Sequence, residues 1–279
     1  PRQLQRVFNQ HDVPFPQTLE ACPSAAGWLQ KSMRSAGGQQ VRKLPLLTET
    51  GLSKRELARG EQVYYQEFVA GQPCSGCFVA HQGQSRLLGV TNMLVGCDWL
   101  NASGFSYCGS FTRRSKQRER SQWERIGEVL TSEFALEGIF GVDAIATPTE
   151  EQENPTIMPL EVNPRYTASM EVIERSRGIS IIGQHIRSFL EHDGTSGLPQ
   201  LPTHPNIGKA ILYAENDFVF PELPPPPPGT VFADIPAVGL DVKRGQPVMT
   251  LLLYLEVSDC PVTCLKTATS RLMEQISLN

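Results

Sequence analysis

Two segments near the middle of the chain carry the residue types that bind metal ions and phosphate. The first contains Asp143, and the second contains Glu161 and Asn163, which are two residues apart. Side chains two residues apart on a strand project from one face. If the segments pair as a hairpin about the centre of the loop 147–156, Asp143 falls opposite or nearly opposite Glu161, with Cβ atoms about 5 Å apart.

Two carboxylates placed in this way repel each other unless a cation lies between them. Mg²⁺ is typically held by one or two carboxylates together with the phosphates of a nucleotide. Asn163 adds a neutral oxygen to the same face, and Arg165 adds a planar fork that suits phosphate or carboxylate. The pattern therefore predicts a metal and phosphate site. The alternative is an exposed strand edge whose charges simply face water.

A second candidate is Lys31, which ends a short apolar segment before Ser35-Ala-Gly37-Gly38. A lysine before such a loop offers a point charge and accessible backbone N–H groups to a phosphate chain. Neither GxxxxGK[ST] nor GxGxxG occurs in the sequence. Without those motifs, a plain turn is the alternative interpretation.

A third candidate is the segment Gln66-Glu67-Phe68-Val69, which Gly71 follows. Its mixed polar and apolar side chains could hydrogen-bond and sandwich a flat purine. An ordinary strand with one solvent-facing acid explains the same segment equally well.

The elements that must position these residues follow from apolar spacing and from helix breakers. A helix is predicted over 2–11, ended by Asp12-Val-Pro-Phe-Pro, and another follows the basic run 113–120 and ends near Gly138. Further helices are predicted at 167–177, 179–190 and 265–278. Strands are predicted at 41–47, 63–69, 77–81, 85–93, 139–146, 157–162, 210–220, 230–233 and 248–257.

The seven cysteines indicate free thiols, because they are odd in number and scattered. Cys74-Ser-Gly-Cys77 has the CxxC spacing of a redox or zinc site, but it lies in a strand-like segment without a second ligand pair. Buried thiols are the preferred interpretation, and a zinc site that recruits Cys260 and Cys264 is the alternative.

The composition excludes several classes of protein. The chain has 279 residues, 40% apolar residues and a net charge of −4. This length suggests about two domains, and the apolar content argues against disorder. The acidic balance argues against a nucleic-acid or membrane-surface protein, and no apolar run approaches the roughly 20 residues of a membrane span. We expect a cytoplasmic protein, and Pro1 suggests that the numbering starts inside a longer gene product.

In order and spacing these motifs resemble the ATP-grasp superfamily. The matching segments are Trp28–Lys31 with Ser35–Gly38, Tyr65–Gly71, Gly141–Asp143 and Leu160–Arg165. The similarity is closest to the branch related to biotin carboxylase that includes carboxylate–amine ligases of archaeal-type C1 coenzyme synthesis. Two departures are Ser32, where that branch favours proline, and the absence of an earlier nucleotide-contacting lysine.

The resemblance implies an α+β fold in which two lobes hold ATP between them. Residues 1–192 would form the ATP-grasp body, with lobes at about 13–70 and 71–192. Residues 193–206 are rich in Gly, Pro and Ser, which predicts a linker, and 207–279 would be a small β-rich C-terminal appendage with a final helix. The N-terminal α/β domain that usually precedes this body is expected to be absent or mostly missing.

The resemblance also implies roles for the candidate residues. Lys31, Ser35, Gly37 and Gly38 would bind the phosphates of ATP, and Gln66, Glu67, Phe68 and Val69 would surround the adenine. Asp143, Glu161 and Asn163 would hold Mg²⁺, with Mn²⁺ as a substitute. Arg165 and Asn163 would act in catalysis, and Thr167, Ser169 and Glu171 would face the acceptor substrate.

The implied reaction is the ATP-dependent conversion of a carboxylate into an acyl phosphate, from which an amine displaces phosphate to form an amide. Coenzyme biosynthesis is the expected context, and the expected substrates are a small-molecule acid and a small-molecule amine. A homodimer is an open alternative to a monomer. The alternative is a catalytically silent ATP-binding or scaffold module. An ATP-dependent carboxylase is a subsidiary alternative. It would need bicarbonate and a biotin-type acceptor, and the sequence shows no feature for such an acceptor.

Overall fold

The computed structural model describes residues 1–33, 37, 38, 40–44, 62–149, 155–190, 206–256 and 258–277. The predicted linker 193–206 and Ser35 therefore lie almost entirely outside the described residues. Among the described residues, no helix has both the length and the apolar character that are needed to cross a membrane.

The N-terminal part forms a helix and a small antiparallel sheet. Helix α1 lies against this sheet, which has the strand order β1-β4-β2-β3. The helix has a short apolar side on which Val7 and Phe8 are buried, and Val13 packs in the same cluster. The bounds are α1 Arg2–Gln10, β1 Thr18–Leu19, β2 Trp28–Ser32, β3 Val41–Lys43 and β4 Val63–Glu67.

The rest of the described chain is built on one larger antiparallel sheet with the strand order β12-β14-β10-β7-β6-β5-β8-β9. Its first strands are β5 Gln72–His81, β6 Gln84–Val95, β7 Tyr107–Thr112, β8 Gly138–Thr147 and β9 Thr156–Asn163. The later strands are β10 Asn206–Tyr213, β12 Thr230–Ala233 and β14 Pro247–Leu255. Strands β11 Phe218–Val219 and β13 Asp241–Val242 form a separate short ribbon.

Helices cover both faces of the larger sheet. They are α2 Gln117–Phe134, α3 Met170–Arg177, α4 Ile181–Leu190 and α5 Pro261–Ser277. Trp123 of α2 is completely buried beside Phe78, and Leu265 of α5 packs where Gly208 leaves room. Helix α3 packs on the opposite face, where Ile173 meets Gly89. The part of that face not covered by α3 carries the candidate site.

The predicted elements that fall on the described residues agree with this architecture in type, and their bounds differ locally. Of the strand predicted at 41–47, residues 45–47 lie outside the described residues. The strand predicted at 210–220 begins at Asn206 and ends at Tyr213, and the final helix begins at Pro261, four residues earlier than predicted. The segment predicted as an appendage supplies three strands of the larger sheet, because β10 pairs with β7 through Gly208↔Phe111 and Ala210↔Gly109.

The CxxC segment forms part of the buried strand β5. Cys74 packs in the cluster beneath α2, whereas Cys77 packs in the cluster beneath α3 and α4, so the two thiols lie in different parts of the core. Burial raises the pKa of Cys74 to about 12 and raises the pKa of Cys77 as well. Such thiols are inert, which agrees with the buried-thiol interpretation.

Candidate functional site

The site is centred on the antiparallel pair β8 and β9. Asp143 lies directly opposite Glu161, and Gly141 lies opposite Asn163, as the hairpin argument predicts. The register shifts between Asp143 and Ala144 because Leu160 is an extra residue on β9. Such a bulge changes which face the following residues occupy.

Because of this bulge, odd-numbered residues of β9 face the core before Leu160 and face the site after it. Ile157 lies opposite Ala146 in the core beneath α2. Glu161 and Asn163 are also odd-numbered, but they lie opposite Asp143 and Gly141 on the other face. Thr167 and Met170, next to Gly141 on that face, continue from the end of β9. The strand therefore places its apolar and its chemical residues on different sides of the sheet.

Asp143 lies in surroundings that disfavour its negative charge. Burial and the nearby charge of Glu161 raise the pKa of its carboxyl group to about 6, although a hydrogen bond from Ser75 and the charges of Lys31 and Arg165 act in the opposite direction. Ser75 lies opposite Asp143 on β5. Two neighbouring carboxylates, one of them with a raised pKa, form the donor set that a divalent cation would stabilise.

Asn163 connects the carboxylates to Arg165. Its amide Nδ2 donates to Asp143 Oδ2 at 3.2 Å, and its Oδ1 accepts from Arg165 Nη2 at 3.2 Å. The Arg165 side chain also donates to the carbonyl of Tyr166, and the residue is exposed. In this arrangement Asn163 orients Asp143 and Arg165, and a metal bound by its oxygen would share that oxygen with the Arg165 cation.

Lys31 approaches the carboxylates from the small sheet. It is only 8% exposed, and its Nζ donates to Gln66 Oε1 at 3.1 Å. Burial lowers the pKa of its ammonium group, and the charges of Glu161 and Asp143 oppose that change. Gln66 Nε2 in turn donates to the carbonyl of Leu160 at 3.5 Å, which links β4 with the bulge of β9. A cation from one sheet thus faces the acids of the other.

The turn at Gly37 and Gly38 contacts the start of β7. The N–H of Tyr107 donates to the carbonyl of Gly37 at 3.1 Å. Both glycines have positive φ, and a Cβ on Gly38 would meet the carbonyl oxygen of Phe105 at 1.8 Å. Only glycine fits this close approach, so the turn is held against the larger sheet.

The proposed adenine segment lies at the end of β4. The backbone N–H of Glu67 donates to the carbonyl of Gln17, and that of Phe68 donates to the carbonyl of Gly27. The Glu67 carboxylate accepts from the N–H of Gln17 at 3.4 Å. A purine would therefore not be recognised by these two amides without breaking existing hydrogen bonds. The role of Gln66–Val69 around an adenine stays a prediction, in which the Val69 amide would be the donor.

The turn after β9 is tied to the sheet through hydroxyl groups. Thr167 Oγ1 lies 3.1 Å from Ser169 Oγ, which donates to Ser75 Oγ at 3.2 Å. Because Ser75 also bonds Asp143, the turn is linked to the carboxylate pair. Ser169 is buried, whereas Thr167 is partly accessible beside Gly141.

Glu171 differs from the other predicted acceptor residues because two cations already neutralise it. Its carboxylate lies 2.7 Å from Lys209 Nζ and 2.9 Å from Arg175 Nη2. Burial tends to raise its pKa, but the bonds from Lys209 and Arg175 lower the pKa below its ordinary value. In this structure Glu171 stabilises the beginning of α3 and does not present a free charge to a substrate.

Lys209 and Ser75 are the residues of this site that the sequence analysis missed. Lys209 lies on β10, is only 6% exposed, and also donates to the carbonyl of Ala168 at 3.4 Å. A single lysine inside the apolar run Ile207–Leu212 is a signal that could have identified it, because a buried charge requires a partner. Ser75 was hidden by its place within the CxxC segment.

A small sheet that presents a lysine to paired carboxylates on a larger antiparallel sheet defines a nucleotide-binding fold of the ATP-grasp type. Residues 2–169 match the family model described as the ATP-grasp domain, and the chain belongs to this family. No curated protein sequence is significantly similar to the chain.

Solved structures of low sequence identity share the fold. Biotin carboxylase from Campylobacter jejuni has a TM-score of 0.68 at 13% identity, covering 95% of this chain and 64% of that one. Pyruvate carboxylase from Rhizobium etli has a TM-score of 0.70 at 13% identity, with 95% and 26% covered. An L-amino acid ligase from Bacillus licheniformis has a TM-score of 0.67 at 11% identity, with 99% and 71% covered. The chain thus spans less than two thirds of these carboxylase chains.

Proposed function

We propose that this protein is an ATP-dependent ligase that activates a carboxylate as an acyl phosphate and joins it to an amine. The observation that carries this proposal is the convergence of Lys31 from the small sheet with Asp143, Glu161 and Arg165 from the larger one. Cations and metal-binding acids on facing surfaces suit the positioning of a phosphate chain for transfer.

In this proposal the nucleotide lies between the two sheets. Lys31 and the turn at Gly37 and Gly38 contact the phosphates. An adenine ring offers a donor amine beside an acceptor nitrogen. The carbonyl of Glu67 and the amide of Val69 supply the complementary pair, because the Glu67 and Phe68 amides are engaged within the sheet.

The carboxylates of Asp143 and Glu161 would hold Mg²⁺ or Mn²⁺. Among the residues that the structure describes, no third His, Cys, Asp or Glu completes a cluster with them. This fits Mg²⁺, which keeps several waters and takes its remaining ligands from nucleotide phosphates. The bound ion would neutralise the charge on the transferring phosphoryl group.

The reaction proposed for the site has two steps. An oxygen of the substrate carboxylate bonds to the terminal phosphorus of ATP, and ADP departs. The amine nitrogen then bonds to the acyl carbon, phosphate departs with the oxygen of the acid, and the amine loses a proton. The planar fork of Arg165 is suited to hold the transferring phosphate, and Thr167 and Ser169 are placed beside the acceptor.

A solved relative offers a precedent for the bound species. The biotin carboxylase domain of 2-oxoglutarate carboxylase from Hydrogenobacter thermophilus was crystallised as a dimer with MgADP and bicarbonate. By analogy we propose a homodimer for this chain, to be tested by sedimentation. We further propose that the protein acts in coenzyme biosynthesis in the cytoplasm.

The decisive experiment follows oxygen from acid to phosphate. The protein is incubated with Mg·ATP, a panel of amines and carboxylic acids labelled with heavy oxygen in the carboxyl group, with bicarbonate included among the acids. An acyl phosphate intermediate transfers label into the released phosphate. Nucleotide binding without ADP formation in every combination would instead identify a silent ATP-binding module.

A matched pair of variants tests the metal assignment. Glu161→Gln should abolish the dependence of ATP binding on Mg²⁺ in a calorimetric titration, because it removes one of two carboxylate ligands. Glu222→Gln, on an exposed loop, is the control and should bind as the unmodified protein does. Equal Mg·ATP affinity in both variants would contradict the assignment.

A further inference from the structure

Two cysteines outside the proposed catalytic residues lie against each other at the junction of β6 and β7. Cys97 follows the end of β6 and begins the short 3₁₀ turn Asp98–Leu100. Cys108 is the extra residue of a bulge in β7, because the register passes from Leu94↔Gly109 to Val95↔Tyr107. Cys97 packs against the apolar cluster that contains Cys108, and the two thiols are close enough for Cys108 to lower the pKa of Cys97.

The two thiols have different surroundings. Cys97 is half-buried, and the hydrogen bond from Cys108, a backbone hydrogen bond with Val95 and the charge of Lys266 lower its pKa to about 7, against burial and the charge of Asp98. Cys108 has no exposed surface, and its pKa is raised. The pair therefore combines an accessible thiolate with a buried thiol as its neighbour, the arrangement of an attacking and a resolving cysteine.

We propose that Cys97 and Cys108 form a reversible disulfide when the protein encounters a hydroperoxide. The Cys97 thiolate attacks one peroxide oxygen, the O–O bond breaks, and Cys97 becomes a sulfenic acid while water or an alcohol leaves. The sulfur of Cys108 then bonds to that of Cys97, and the hydroxyl group leaves as water with the Cys108 proton. The two thiols lose two electrons in total, and the peroxide gains them.

The disulfide would act on the nucleotide site through the residue next to Cys108. The N–H of Tyr107 donates to the carbonyl of Gly37, and its carbonyl accepts from the hydroxyl of Tyr213 at 2.9 Å. The two sulfurs of a disulfide are closer, at about 2.05 Å, than two thiols in contact, and the dihedral angle of the disulfide is restricted. Its formation therefore shifts the start of β7, on which the Gly37 turn rests. This second step rests on the proposed function, whereas the disulfide itself does not.

The disulfide is tested by peptide mapping without reductant after exposure of the full chain to hydrogen peroxide. We expect a Cys97–Cys108 cross-linked peptide that is lost on treatment with a phosphine reductant. Cys97→Ser should abolish it. Cys108→Ala should leave Cys97 as a sulfenic acid that a dimedone probe captures. Cys260→Ser removes an exposed thiol whose pKa is also lowered, and it should leave the cross-link unchanged.

Other outcomes of the mapping overturn the proposal. These are no cross-link in the folded protein, or a cross-link from Cys97 to Cys264, which packs against the same apolar cluster. The effect on the turn is measured by hydrogen exchange at the Tyr107 amide, with and without oxidation, in the absence of nucleotide. Faster exchange in the oxidised protein, absent from Cys97→Ser, is expected, and unchanged exchange would overturn the coupling even if ATP binding were never observed.

Discussion

The carboxyl group of Asp143 is the clearest case in this molecule of a residue placed against its own electrostatic preference. Burial and Glu161 raise its pKa from 3.8 to about 6. A proton therefore binds the native protein more tightly than the unfolded chain. Without a metal, the contribution of this group to stability is greatest at low pH and falls as the pH rises from 3.8 to about 6.

We accordingly predict that Asp143→Asn makes the metal-free protein more stable at pH 7 and abolishes Mg²⁺-dependent nucleotide binding. Removal of the buried charge and its repulsion should raise the free energy of unfolding by up to about 3 kcal/mol, since the pKa is raised from 3.8 to about 6 and each pKa unit corresponds to about 1.4 kcal/mol. Thermal unfolding with and without Mg·ATP measures both effects.

Asp217→Asn is the control for this prediction, because Asp217 is exposed and its pKa is lowered by Arg244 and Lys243. It should leave Mg·ATP binding intact and should not stabilise the protein. A lower free energy of unfolding for Asp143→Asn at pH 7 would show that the charged carboxylate stabilises the metal-free protein, which would contradict the prediction.

For single residues, the sequence predicted contacts within one strand or one hairpin. It did not predict contacts between residues that are far apart in the chain. Glu161 and Asn163 could be assigned to one face from their spacing, and the loop centre indicated Asp143 as the opposite residue. Lys209 could not be assigned to Glu171, because nothing local in either segment indicates that β10 passes beneath the turn before α3. The distance of 2.7 Å between them is a consequence of the sheet order.

The turn at Gly37 and Gly38 depends on its close contact with the larger sheet. Gly38→Ala should weaken ATP binding and destabilise the protein by more than Gly37→Ala does. Both substitutions place a side chain at positive φ, which costs about 1–2 kcal/mol. Only the Cβ at residue 38 meets the Phe105 carbonyl, whereas the one at residue 37 meets open space.

The difference between these two variants therefore isolates the contact with the sheet from backbone strain. Chemical denaturation and nucleotide titration provide the two measurements. Equal effects of the two variants would show that the turn does not rest on β7.

We predict that the turn between β9 and α3 depends on Lys209, the buried lysine of β10 that binds it. Lys209→Met should lower the turnover number more than it changes ATP affinity, because it frees the Ala168 carbonyl and one side of Glu171 without touching the residues around Lys31. Steady-state kinetics on the substrates identified by the labelling experiment test this.

Arg175→Met is the matched control, since Arg175 binds Glu171 from the more exposed side and also contacts the Tyr254 hydroxyl. Its effect on turnover should be smaller. A larger effect for Arg175→Met, or an equal loss of ATP affinity for both, would contradict a positioning role for Lys209.

For the whole molecule, the strands on either side of residues 193–206 share one sheet. β10 and β14 pair in full register from Asn206↔Leu255 to Leu212↔Met249, and β10 pairs with β7 on its other side. Leu251, Leu253 and Leu255 are buried in the same cluster as Leu100 and Cys108. A piece that ended near residue 192 would expose this cluster.

We predict that a protease site inserted in residues 193–206 can be cut without separating the two pieces. They should co-elute in gel filtration and unfold in one transition, whereas the piece 1–192 expressed alone should aggregate. A stable, monomeric 1–192 piece would show that the later strands are dispensable. The composition of 193–206 predicts a linker, but it contains no information on which strands meet beyond it.

The extra residue Leu160 has a consequence for how this fold tolerates changes in chain length. Residues may be gained or lost in the loop between Thr147 and Thr156 without altering the facing of any strand residue, because the ladder begins at that pair. Gain of a single residue between Thr156 and Glu161, with the one-residue bulge kept, would pair Val142 with Glu161 and turn Glu161 and Asn163 toward the hydrophobic interior. Loss of Leu160 would only remove the bulge and leave Asp143 opposite Glu161. Insertions in descendants of this gene should therefore accumulate before Thr156 and be purged from the five residues that follow it, whereas loss of the extra residue there should be tolerated.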